Sequence, residues 1–191
     1  QLQNRQQQGR DGVWLDLPTT TEQVQAALRQ IGISSDNPQG LFISGYFAEE
    51  EKRFAIPYNM VMASSVDELN FLAARLETLS AGERAELNAA LQAPQSELSS
   101  IGRIIDFPEN VDYYVHLPDV RGPAQLGDYY LNRSGMVDMP EEWKGGIDTA
   151  QFGRYVAQQE QGAFTQYGYL VKSGDEWQKV HEGQPVPEEY R

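Results

Sequence analysis

The chain contains no cysteine, which removes disulfides, thiol nucleophiles and thiolate metal sites and fits a reducing compartment. It has two histidines, His116 and His181, far apart in sequence and without a neighbouring nucleophile pattern. No apolar run approaches the roughly 18 residues that a membrane-crossing helix needs. No phosphate-binding glycine loop, dinucleotide fingerprint or nucleophile elbow occurs. Asp106, Glu109 and Asp112 lack the alternate spacing of a calcium loop, and His116 beside Asp112 and Asp119 lacks a metal-ligand pattern. Asn132-Arg133-Ser134 is a glycosylation sequon by pattern alone. These absences lead us to expect no enzyme: no catalytic residue, no cofactor and no metal. The chain opens Gln1-Leu2-Gln3 with neither an initiator Met nor a signal pattern, so a few residues are expected upstream and the protein is expected in the cytoplasm.

Cations are also scarce. Fifteen Lys and Arg stand against 28 Asp and Glu, for a net charge of −13. Such a balance repels nucleic acid and anionic membranes and attracts basic partners. Solubility alone explains acidity in most acidic proteins, so the distribution of the charge has to carry the argument. Residues 1–64 hold 7 acids and 5 bases, 65–107 hold 7 and 3, and 108–191 hold 14 and 7. The acids are spread over the whole length, with Glu49-Glu50-Glu51 as the longest run. Seven of them, Glu22, Asp67, Glu68, Glu83, Glu141, Glu142 and Asp148, fall at expected helix starts, where they complement free amides and the helix dipole. The 21 that remain still exceed all fifteen bases.

What is present suffices for real cores: 40% apolar residues, with ten Tyr, seven Phe and three Trp. Val13, Leu15 and Leu17 alternate as a strand ended by Pro18. Thr19 with Glu22 reads as a capping box before Val24, Ala27, Leu28 and Ile31, closed by Gly32. Leu41–Phe47 and Phe54–Tyr58 read as strands. Ser65 with Glu68, and Ser80 with Glu83, are further capping boxes, and Leu98, Ile101, Ile104 and Ile105 start a third amphipathic stretch. Tyr113–Leu117 reads as a strand, Pro123 opens a helix closed by Gly135, Pro140 opens a short turn of helix, and Asp148 caps a helix ending near Gly162. Tyr167–Val171 and Trp177–His181 are expected to pair as a hairpin. The pattern predicts an α+β chain of three small domains: a mixed unit over 1–64, a helical middle over 65–107 and a mixed unit over 108–191 with a loose tail from about 183. The glutamine-rich start (Gln1, Gln3, Gln6, Gln7, Gln8) is low-complexity in composition, with Leu2 and the nearby strand as the features that could order it. Strung end to end, three modules of roughly 27 Å each reach about 80 Å, a length over which duplex DNA carries roughly 47 phosphates. The carboxylates approach that density to within about a factor of two if they lie mostly on one face.

Certain stretches resemble the ArdA antirestriction proteins. Gly12-Val13-Trp14-Leu15-Asp16-Leu17-Pro18 with the capped helix to Ile31-Gly32-Ile33 is similar to that family's opening, as are Ser65–Ala73 and Leu126-Gly127-Asp128-Tyr129-Tyr130. The most specific likeness is Phe152-Gly153-Arg154-Tyr155-Val156-Ala157-Gln158-Gln159-Glu160-Gln161-Gly162-Ala163-Phe164-Thr165-Gln166-Tyr167-Gly168-Tyr169, which resembles the family's antirestriction motif. The resemblance implies proteins carried on conjugative plasmids and transposons that inhibit type I restriction–modification enzymes by imitating their DNA. It also implies an elongated string of three domains, dimerised through the last. The partner it implies is a type I methyltransferase or restriction complex, with a homodimer and without nucleic acid or membrane. An alternative is a mimic aimed at another DNA-binding protein, such as a regulator or nucleoid protein, since backbone-like charge carries little partner identity. The phosphate surrogates expected are Glu49, Glu50, Glu51, Glu77, Glu86, Asp106, Glu109, Asp112, Asp119, Asp128, Asp138, Glu141, Glu142, Glu160, Asp175 and Glu176. Phe152, Tyr155, Val156, Phe164, Tyr167 and Tyr169 are the motif and dimer-contact candidates. The chain departs from the family in two places: the glutamine-rich start stands where relatives have a further strand, and Gln158-Gln159-Glu160-Gln161 is less acidic than its counterparts.

Overall fold

A computed structural model of the chain describes residues 1–7, 11–34, 38–94 and 96–191; Gln8, the last of the early glutamines, lies outside them. In chain order the elements are β1 (Leu2–Asn4), α1 (Thr21–Gln30), β2 (Leu41–Ile43), α2 (Tyr58–Met62), α3 (Val66–Glu77), α4 (Ala81–Gln92), α5 (Ile101–Ile105), β3 (Tyr114–Leu117), α6 (Pro123–Asp128), α7 (Glu141–Lys144), α8 (Thr149–Glu160), β4 (Ala163–Thr165) and β5 (Gly168–Lys172). Helices with small antiparallel sheets make this the α+β class. The elements gather into two compact units. One holds residues 1–79, 98–109 and 178–191, and the other holds 80–97 and 110–177. The helical segment 65–107 is shared between them, because α3 packs on α5 while α4 packs on β5 and β3.

In the first unit, Thr20 caps α1: its hydroxyl accepts from the Gln23 amide, and the Gln23 side chain accepts in return from the Thr20 amide. The box lies one residue later than Thr19 with Glu22, because Gln makes the reciprocal bond as well as Glu does. The buried face of α1, Ala27 and Leu28, joins Leu2, Ile31 and Ile33 in a core on which Val13, Leu15, Leu41 and Ile43 pack. The early glutamines do contain a strand. β1 pairs antiparallel with β2 (Leu2↔Ile43, Asn4↔Leu41), anchored by Leu2 alone. The strand expected at Val13–Leu17 is reduced to a single bridge, Leu2↔Val13, because β1 is too short to continue the ladder. The strand expected at Phe54–Tyr58 is also absent, and Pro57 starts α2 there. Ser65 and Glu68 box the start of α3 as expected.

Asn70 on α3 is 1% exposed. Its Oδ1 accepts from the Thr19 amide at 2.7 Å, and its Nδ2 donates to the carbonyls of Thr19 at 3.0 Å and Tyr190 at 3.2 Å. The tail is therefore not loose. The Tyr190 ring lies 4.9 Å from Phe71, and the Thr21 hydroxyl donates to the Arg191 carbonyl.

In the second unit, Ser80 and Glu83 box α4, which buries Leu87, Ala89 and Ala90. β5 is the middle strand of a three-stranded antiparallel sheet. It pairs with β3 (Tyr114↔Lys172, Leu117↔Tyr169) and with β4 (Phe164↔Tyr169). With both edges of β5 taken, the hairpin expected with Trp177–His181 does not form. Trp177 instead meets the Tyr113 ring edge-on at 5.1 Å. Pro123 opens α6, which runs into a π-turn at Tyr129–Arg133. Helices α6 and α8 cross at their glycines: a Cβ on Gly127 would lie 1.9 Å from the Thr149 carbonyl oxygen, and one on Gly153 would lie 1.8 Å from that of Pro123. Val120, Leu126, Ala157 and Tyr169 form the core beneath.

Candidate partner-binding surface

Twelve of the sixteen expected phosphate surrogates are exposed: Glu49, Glu50, Glu51, Glu77, Glu109, Asp112, Asp119, Asp138, Glu141, Glu142, Asp175 and Glu176. Some are already partly neutralised. Lys52 lies 3.6 Å from Glu49, Lys144 lies 2.6 Å from Glu141, and the Arg75 guanidinium donates to both oxygens of Glu109. Asp128 is half-buried, 3.5 Å from Arg133 and bonded to the Asn132 amide at 2.8 Å.

Three members of the set need separate treatment. Asp106 is fully buried and serves the fold, not the surface. Its carboxylate accepts the main-chain amides of Val180 at 3.2 Å, His181 at 2.6 Å and Glu182 at 3.1 Å. It is removed from the surrogates because the returning segment 178–182 covers it. Glu86 is also a poor surrogate. Burial, then the nearby charges of Glu83 and Asp112, push its pKa up to about 8, and its Oε1 is buried without a hydrogen-bond partner. At neutral pH it carries little charge. Glu160, at the end of α8, is held between two phenols: Tyr130 donates to it at 2.8 Å, and Tyr169 donates to its other oxygen. Burial, and then bonding to this carboxylate, raises both phenol pKa values well above the usual range.

The six aromatic-motif candidates divide in the same way. Tyr155 is exposed on α8. Phe152 and Tyr167 are half-buried, while Val156 and Phe164 are half-buried and pack on the core. Tyr169 is fully buried, its ring 5.0 Å from that of Phe164, so it is a core residue and not a contact candidate. The motif is one continuous piece of architecture. Gln161 turns α8 off in a left-handed conformation (φ 56°), and β4 and β5 follow. Gly162 is required there, since a Cβ would come within 1.8 Å of the Tyr169 Oη. Over residues 8–171 the chain matches the family described as antirestriction protein (ArdA). The chain belongs to the ArdA family. No curated protein matches it. Membership implies an antirestriction function. In the stretches that resemble the family, Gly127 and Gly153 let α6 and α8 touch, and Glu160 and Gly162 seat Tyr169.

Both histidines are structural. His116 Nε2–H donates to the Tyr167 carbonyl at 2.7 Å, and the His181 ring sits edge-on to Phe71 at 5.1 Å. Asp106, Glu109 and His181 bring possible ligand atoms within 4.8 Å of one another. The carboxylates of Asp106 and Glu109 are already engaged, by main-chain amides and by Arg75, and that arrangement anchors a loop. Sequence reading passed over Asn70 and the aromatic group Trp14, Tyr46 and Tyr58. Trp14 had a signal: in the alternation Val13-Trp14-Leu15 it lies on the face away from the core.

Proposed function

We propose that this protein inhibits type I restriction–modification enzymes as an acidic mimic that occupies their DNA-binding groove. Support comes from family membership together with one observation: twelve exposed carboxylates are distributed over both compact units. The first unit holds 15 acids and 9 bases, and the second 13 and 6. Neither unit is the cationic half of a dipolar protein, so each presents a net anionic surface to Lys and Arg that otherwise grip phosphates. Fixed carboxylates release fewer condensed counterions than DNA does, so their pre-organised placement has to compensate. Ion pairs such as those at Glu141 and Glu109 hold some of them in place.

The proposed partner is the methyltransferase or restriction complex, met in the cytoplasm, and the active form is a homodimer joined through the outer face of α8. A competition assay tests the core of the reading. Purified type I methyltransferase holding labelled duplex should release it as this protein is added. An enzyme that holds duplex and this protein at once ends the DNA-mimic reading.

A further inference from the structure

Trp14, Tyr46 and Tyr58 are exposed aromatic residues of the first unit, Trp14 beside Gly45 and the two tyrosines stacked on each other. Val13 and Leu15 pack on the core, while Trp14 between them is 57% exposed. Its indole lies beside Gly45, where a Cβ would sit 3.9 Å from the ring. The rings of Tyr46 and Tyr58 stack 6.0 Å apart with 27° between planes, and Tyr58 is 56% exposed. Both phenol hydroxyls are engaged by main chain. Tyr46 donates to the Ile56 carbonyl at 2.9 Å and Tyr58 to the Ser44 carbonyl at 2.8 Å. The rings are thus held in place and leave aromatic surface, not hydroxyls, for a partner, which lowers the ordering cost of binding. The exposed carboxylates Glu49, Glu50 and Glu51 begin three residues after Tyr46, at most about 11 Å along the chain.

We infer that this aromatic platform takes arginine side chains of the partner protein, with the Glu49–Glu51 turn supplying the counter-charge; the inference rests on the reading that the partner offers cations it uses on DNA. The choice of ligand follows from the chemistry. A chain of net charge −13 does not stack nucleic-acid bases on such a surface. A planar guanidinium satisfies both features at once: it stacks on aromatic faces and donates two hydrogen bonds to a carboxylate. An ammonium makes a single point contact and stacks poorly.

Titration of the full chain with nona-arginine and with nona-lysine, at equal salt, tests the inference by calorimetry. The wild-type protein should bind nona-arginine roughly fivefold more tightly than nona-lysine. Trp14→Ala should lower that ratio, and the double change Glu50→Gln and Glu51→Gln should weaken both peptides, nona-arginine the more. Where Trp14→Ala loses its circular-dichroism signature, Tyr58→Leu gives the same reading. A wild-type ratio near one, or a ratio unchanged in both folded ring variants, overturns the platform. A change of sedimentation in Trp14→Ala assigns the surface to a second copy of this chain and overturns it equally. Because the peptides need no restriction enzyme, a failed duplex competition beside the expected ratio overturns the type I partner and leaves the arginine site standing.

Discussion

Glu86 is an acid that the fold keeps protonated. Burial, then the charges of Glu83 and Asp112, push its pKa in the folded chain up to about 8 from the ordinary 4.5. Between those values the folded chain holds a proton that the unfolded chain has released, so stability falls as pH rises through that window and is flat above it. Glu86→Gln removes the penalty. After allowance for the solvent around this partly exposed group, urea unfolding at pH 9 should show a gain on the order of 1–2 kcal/mol, shrinking to nearly nothing at pH 4. Asp106 is the opposite case, a buried carboxylate with three amide donors to satisfy. In Asp106→Asn an NH₂ group replaces one accepting oxygen, so a donor faces main-chain N–H donors. Chemical denaturation should register a loss of about 3 kcal/mol.

At the scale of elements, the crossing of α6 and α8 has no room for a methyl group. Gly153→Ala would place Cβ against the Pro123 main chain, and main chain does not yield as a side-chain tip does. Thermal melting should show a loss of at least about 3 kcal/mol, while Gly145→Ala, which meets nothing within 4 Å, should stay within about 0.5 kcal/mol. Tyr155 lies on the exposed side of the same helix, so Tyr155→Glu should leave the melt unchanged and convert dimers to monomers in sedimentation; unchanged dimers place the interface elsewhere. The helices were largely legible in the sequence because their signals are local: Ser65 and Glu68, Ser80 and Glu83, and Asp148 with Gln151 meet within one turn. The strands were less so, because pairing is decided far along the chain. β5 reads as a hairpin strand with Trp177–His181 until β3 and β4 are seen to occupy both its edges. The candidate surface divides in the same way. Polarity placed twelve carboxylates outside, but nothing near Asp106 in sequence announces the segment 178–182 that covers it.

On the scale of the whole molecule, charge is the property to test. Association with the enzyme should be steered by charge, and the steering should fade as ionic strength passes about 0.15 M, where the screening length is about 8 Å. Stopped-flow rates should fall steadily with added salt, and a single neutralisation such as Glu142→Gln should change them less than about threefold, since each charge is one among many. A salt-independent rate, or one neutralisation that abolishes inhibition in a folded protein, would replace distributed charge with a localised site.

The two units interleave along the chain: residues 1–79 and 98–109 have to wait for 178–191, whose Tyr190 completes the bonding of Asn70 and whose Val180–Glu182 amides cover Asp106. During vectorial synthesis the second unit has all its residues before the first has its last. An emerging chain can thus finish its later-starting unit while the earlier one still lacks a partner for a buried carboxylate. The completed first unit comes only after residues 178–191 have left the ribosome.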